Sequence, residues 1–275
     1  MKRLNKQHLL TMAAVFFAAV FVFSAVMLYR EYADQKQSAE AFDNIAALIQ
    51  TEPTEPEESN AAEETGTTEE TEAAGLSAYE TYGAVYEQNH DFVGWIRIEG
   101  TNIDYPVMQT PDNPDFYLKH GFDKEYSAYG VPYMQENCVL GQSDNLVIYG
   151  HHMNNGSMFA DLCKYTDKDF YEEHKTIRFD TLSEFGEYEI VAVFKTVAYS
   201  EDGFKYYHFV DGDEEEFDSY IAKCRELSLY DTGVTAKYGD ALITLSTCEY
   251  SRTNGRMVVV AKKIASPIGE VNPDA

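Results

Sequence analysis

The sequence predicts a mostly β domain, closed or nearly closed into a barrel, with an N-terminal helix and a long helix before the strand that ends at Cys248. Three observations carry this. Eight short apolar runs recur at strand spacing between residues 92 and 264. Gly, Asn and Asp separate most of them. In the same domain only two stretches read as helices, so the regular strand–helix alternation of a doubly wound sheet is missing.

The first helix is SAYETYGAVYEQNHD (77–91), which is amphipathic. The strands then run FVGWIRI (92–98), IDYPVMQ (103–109), GVPYM (130–134), NLVIYGH (145–151), TIRFD (176–180), YEIVAVFKTVAYS (188–200), ALITLSTC (241–248) and MVVVAKKI (257–264). Trp95 is expected in the core. The second helix, DGDEEEFDSYIAKCRELSLY (211–230), interrupts the late strands. Asp and Glu crowd its first turn, as the helix dipole favours. Phe217, Tyr220, Ile221, Cys224 and Leu227 recur at helical spacing. No internal repeat is visible.

Upstream of the barrel the composition changes twice. Lys2, Arg3 and Lys6 precede an uncharged stretch of 21 residues, Leu9 to Tyr29. As a helix it crosses a hydrocarbon core of roughly 30 Å. A cleaved signal peptide is the competing reading, but the apolar region is long for one and lacks an A-x-A-like site. Basic residues stay on the cytoplasmic side, so the rest of the chain is expected outside the cell membrane. Residues 31–50 read as a helix leaving the membrane. Residues 51–75 hold nine Glu with no Lys, Arg or aromatic residue. Such a segment buries too little apolar area to offset its ordering entropy, and is expected to be an extended, disordered linker. The predicted organisation is a tip and anchor (1–30), a stalk and linker (31–76), a folded domain (77–265) and a tail (266–275).

The formal net charge is −26 over 275 residues, which argues against a nucleic-acid partner. Much of that charge lies in the linker. The low mean hydropathy makes the apolar segment an isolated one. The four cysteines, 138, 163, 224 and 248, match no zinc spacing and form no C-x-x-C. An even number outside the cell leaves a disulfide among the first three open. Cys163 and Cys224 otherwise read as small core residues. The other histidines show no ligand spacing, and no phosphate loop or carboxylate cage is present, so no metal or cofactor is predicted.

Cys248 differs because it ends an alternating strand where the chain turns polar (TLSTCEYSRTNGR). A side chain there either packs or opens on a cleft. A thiol works as a nucleophile only as thiolate, which a nearby cation or imidazolium favours. If 241–248 and 256–263 form a hairpin, Cys248 and Arg256 meet at its loop end. Arg252 is nearer in sequence but sits inside the turn. A second segment, NLVIYGHHMNNGSMFADL (145–162), ends a strand at Gly150 and offers His151 as acid and base. Adjacent histidines on extended chain point to opposite sides, which makes a poor two-ligand metal site.

TLSTC followed by an arginine resembles the sortase signature T-L-x-T-C…R, and YGH resembles the sortase strand that carries the catalytic histidine. GWIRIEGTNIDYPVMQTPDNPDFYL, GHHMNNGSMFADL and the helix at 211–230 are most similar to class B sortases. The resemblance covers about residues 78–264. It implies an eight-stranded sortase barrel on a Gram-positive surface, acting as a cysteine transpeptidase. Such an enzyme cuts an N-P-x-T-[NG]-like sorting motif of a secreted protein after Thr and holds the fragment as a thioester. An amine of a peptidoglycan precursor, or of a pilin, then resolves it.

By position the resemblance makes Cys248 the nucleophile, His151 the catalytic histidine with His152 as fallback, and Arg256 the oxyanion partner. Ser246 is expected on the same side as Cys248, and the backbone of Thr247 or Glu249 as a further oxyanion donor. Asn113 resembles an asparagine near the class B groove. Thr196 and Tyr206 are expected to contact the sorting peptide. A surface cysteine peptidase, releasing the acyl group to water, is the alternative. Its papain-like form places Cys before His, the reverse of the order here.

Overall fold

The computed structural model describes residues 6–49, 76–201 and 203–264. The acidic stretch 51–75 and the tail 266–275 lie outside the described residues. The apolar segment and the residues after it form one helix, α1 (Lys6–Ala46), about 60 Å long at 1.5 Å per residue. It is long and apolar enough to cross a membrane. Its large side chains are exposed along most of that length. The last turns differ: Ile45 is buried, and Phe42 packs edge-on against Tyr105 at 5.1 Å.

Two further helices start by one device. Ser77 Oγ accepts the amide of Glu80, and the Glu80 carboxylate accepts the amide of Ser77. Asp213 and Glu216 repeat the exchange. Each capping box satisfies donors that a first helical turn leaves unpaired. The helices so opened are α2 (Ala78–Gln88) and, after the short α3 (Lys168–Glu173), α4 (Glu214–Leu227). Phe217, Tyr220, Ile221 and Cys224 of α4 are buried, as their spacing predicts.

The strands are β1 (Phe92–Arg97), β2 (Asp104–Met108), β3 (Tyr133–Met134), β4 (Asn145–Tyr149), β5 (Thr176–Asp180), β6 (Glu187–Val197), β7 (Leu242–Cys248) and β8 (Gly255–Ile264). They close in the order β1-β2-β3-β4-β7-β8-β6-β5, with β5 returning to β1. The predicted eight-stranded barrel is therefore closed. Most neighbours are antiparallel. The pairs β2–β3 and β4–β7 are parallel. The main core fills the barrel and the space under α4, with Ile148, Phe159, Val193, Phe194, Phe217 and Leu245 almost fully buried. A second core joins α2 to β1 and β2 around Trp95, whose indole N–H donates to Asp104 at 2.6 Å.

Two consequences matter for the site. The β7–β8 hairpin ends at one mouth of the barrel. The parallel β4–β7 pair brings the end of β4 to that same mouth, from about a hundred positions earlier in the chain.

Candidate active site

β7 and β8 pair from Leu242↔Lys262 to Cys248↔Arg256, so the last pair of the ladder is the cysteine and the arginine. Directly opposed residues of an antiparallel pair project from the same face, with Cβ atoms about 5 Å apart. Thr196 of β6 lies opposite Arg256 on its other side. Cys248, Arg256 and Thr196 thus form one row across three strands. The turn beyond is tight: Glu249 N–H donates to Gly255 O at 2.9 Å, and Gly255 N–H to Arg252 O at 3.1 Å. A Cβ on Gly255 would stand 2.3 Å from Glu249 O, so only glycine closes this turn.

Arg256 is half-buried. Its Nη1 donates to Gly255 O at 3.0 Å, and its guanidinium carbon lies 6.0 Å from the centre of the Tyr199 ring. These contacts orient the fork and leave further N–H donors for an anion. Arg252 is exposed at the tip of the turn and contributes its carbonyl to the closure.

β4 runs beside β7 with Tyr149 opposite Ser246. Gly150 N–H then donates to Ser246 O at 3.1 Å, and Thr247 Oγ1 to Gly150 O at 2.8 Å. His151 and Cys248 each follow two positions beyond the last pair. Gly150 is required here too, because a Cβ would meet the Phe159 ring at 2.5 Å. Phe159 is fully buried, and its amide donates to His151 O at 2.8 Å. The Met-Phe that ends the histidine loop is therefore its anchor.

His151 Nε2 lies 2.7 Å from Leu118 O. A carbonyl only accepts, so Nε2 carries the hydrogen and Nδ1 holds the lone pair of the neutral ring. Burial lowers the pKa of His151; the bond to Leu118 partly opposes this, and Lys119 adds to the lowering. The ring is a neutral base at neutral pH. His152 has the opposite arrangement, with Nδ1 3.1 Å from Cys248 O and 3.3 Å from Cys163 Sγ. All four cysteines are free. Burial pushes the thiols of Cys138 and Cys163 up to about 11 and that of Cys224 to about 12.

The remaining predicted positions divide. Ser246 and Tyr206 are each 1 % exposed, and their hydroxyls meet at 2.5 Å, so they form a floor beneath the row and not its surface. Thr247 is buried. The amide of Glu249 is already spent on Gly255 O, so it is not a free oxyanion donor. The Glu249 carboxylate instead pairs with Lys195 at 3.1 Å and Ser251 at 2.6 Å. Thr196 Oγ1 accepts the amide of Phe204 at 2.9 Å, which folds the chain after β6 back over the row. Asn113 is exposed in the turn before the 3-10 segment Phe116–Leu118. That segment supplies the Leu118 carbonyl, a backbone group that sequence reasoning missed and that no side-chain pattern marks. Among the described residues no cluster of three His, Cys, Asp or Glu side chains suits a metal.

The arrangement offers a thiol, an imidazole with one free lone pair and a restrained guanidinium at one mouth of the barrel. Residues 96–264 match the family described as Sortase domain. The sequence is 39 % identical over 181 residues to Sortase B of Listeria monocytogenes, covering 64 % of this chain and 71 % of that one. The Staphylococcus aureus sortase B–substrate complex superposes with a TM-score of 0.63 at 30 % identity, covering 69 % of this chain and 87 % of that one. A sortase B complexed with triglycine gives 0.61 at 32 %, covering 67 % and 86 %.

Proposed function

The chain belongs to the sortase family and is a sortase B-like cysteine transpeptidase; from that premise we propose how its residues divide the reaction. Cys248 is the nucleophile, His151 the acid and base, and Arg256 the oxyanion partner. The substrate is a secreted protein with an N-P-x-T-[NG]-like sorting signal. The acceptor is an amine of a cell-wall precursor. Residues 9–29 anchor the enzyme in the cell membrane, with Lys2, Arg3 and Lys6 inside and the barrel outside.

The Cys248 thiol passes its proton to His151 Nδ1 as its sulfur attacks the Thr carbonyl carbon, and Arg256 faces the negative oxygen that forms. The C–N bond breaks as the leaving amine takes a proton from His151, and a thioester remains. The acceptor amine then attacks that thioester, His151 Nδ1 takes its proton, and the departing Cys248 thiolate takes that proton back, which restores the thiol and the neutral ring. Two easier steps replace one difficult amide exchange. Charge-aimed donors of the Arg256 kind are worth about 3–4 kcal/mol in rate.

The observation that carries this reading is the β7–β8 register, which ends on the Cys248–Arg256 pair beside the end of β4. The similar structures with a substrate and with triglycine support a peptide donor and an amine acceptor. The test incubates the full chain in detergent with an N-P-x-T-[NG] peptide and triglycine, and reads products by mass spectrometry. Ligation after Thr is expected. Release of the free acid alone would make it a peptidase, and an uncut peptide would remove the assigned substrate.

A further inference from the structure

The β4–β7 ladder stops short of the two residues assigned to the chemistry. Its last backbone bond is Gly150 N–H to Ser246 O, and His151 and Cys248 lie beyond it, where two parallel strands are free to splay. Two contacts replace the missing ladder. His152 Nδ1 reaches Cys248 O at 3.1 Å. Tyr250 Oη donates to His152 O at 3.1 Å. The exchange is reciprocal: the histidine loop bonds the cysteine strand, and the turn after that strand bonds back to the loop. The rings of His152 and Tyr250 also meet edge-on at 5.1 Å.

We propose that His152 and Tyr250 are positioning residues, a latch that holds the His151 loop in register with Cys248 during transpeptidation. The inference rests on the assignment of His151 and Cys248 given above. Cys248 O can only accept, so Nδ1 of His152 carries hydrogen. The Cys163 thiol packs against the same Nδ1 at 3.3 Å and approaches Cys248 O at 3.8 Å, closing the contact from the side. His152 is fixed further by a β-bridge to Met158, whose amide donates to Tyr105 Oη at 3.1 Å. Tyr250 is 68 % exposed, so its hydroxyl is not held there by burial.

The chemistry of the latch needs a donor one bond from Cγ. Asn keeps such a donor, since Asn Nδ2 occupies the place of His Nδ1, whereas Ala has none. His152→Ala is expected to lower kcat about tenfold or more with little change in KM. His152→Asn is expected to recover most of the loss and to leave the pH–rate profile in place. Tyr250→Phe keeps the ring and drops the hydroxyl; a several-fold loss of kcat is expected, and little further loss on the His152→Ala background.

Parallel assays of His151→Ala and Cys248→Ala separate this inference from the reading beneath it. If those two are inactive while His152→Ala and Tyr250→Phe both match wild type, the latch is refuted and the catalytic assignment stands. If His152→Asn is as inactive as His152→Ala while His151→Ala retains turnover, His152 is the base and both fail. Should His152→Ala not fold, the exposed Tyr250→Phe decides alone, with wild-type kcat counting against the latch.

Discussion

The imidazole of His151 donates from Nε2 to the carbonyl of Leu118 at 2.7 Å. A backbone group 33 positions upstream thereby selects the tautomer of the ring. Burial at the same spot lowers its pKa, so the folded protein resists protonating it.

The sign of the pH dependence follows. The folded pKa of His151 lies below its unfolded value of about 6.5. Its contribution to stability is complete above that value and is lost as pH falls through the folded pKa. NMR titration of the ring should give a midpoint below 6.5. Chemical denaturation of wild type against His151→Gln should show a stability difference that shrinks as pH drops from about 7.5 to about 5. A midpoint above 6.5 would contradict the burial argument.

Arg256 and Arg252 should behave differently on substitution. Arg256→Lys keeps a charge but loses the planar fork. With a donor to the oxyanion lost or misaimed, a rate loss on the order of 10²–10³ is expected in single-turnover acylation. The melting temperature should hardly move. Arg252→Lys, at the exposed tip of the turn, should leave acylation within about twofold of wild type. Equal losses in both would place the functional cation in the turn.

Alkylation should distinguish the cysteines. With pKa values near 11 and 12, the thiols of Cys138, Cys163 and Cys224 carry at pH 7.5 a thiolate fraction of roughly one in a thousand or less. Iodoacetamide at that pH, followed by peptide mapping, should modify Cys248 first. Comparable early labelling at Cys163, which is also half-exposed, would weigh against Cys248 as the reactive thiol.

Gly150→Ala tests the seat of the histidine loop. The new Cβ would overlap the Phe159 ring, and overpacking of this kind costs about 1–3 kcal/mol. Thermal unfolding should shift down, and kcat should fall because His151 is the next residue. Adding Phe159→Leu should return part of the activity by making room. If Gly150→Ala leaves both quantities unchanged, the close approach does not position the loop.

Local pattern alone determined much of this protein. The eight strands, the helices at 77–91 and 211–230, the apolar stretch 9–29 and the T-L-S-T-C…R spacing all read from neighbours within a few positions. Strand alternation, helical periodicity and the acidic first turn of a helix are short-range properties, so they are visible without a fold. The hairpin placing Cys248 near Arg256 belongs to the same class, since eight residues separate them. Only tertiary structure decided the rest. The parallel β4–β7 pair joins residues about a hundred apart. It sinks Ser246 and Tyr206 beneath the surface that Ser246's alternation with Cys248 suggested. The Phe116–Leu118 segment brings its last carbonyl to one histidine, and the strand pair brings the Cys248 carbonyl to the other. Nothing in GHHM distinguishes the two rings. Their roles separate only when distant backbone oxygens, which carry no sequence signature, choose the nitrogen that keeps the proton.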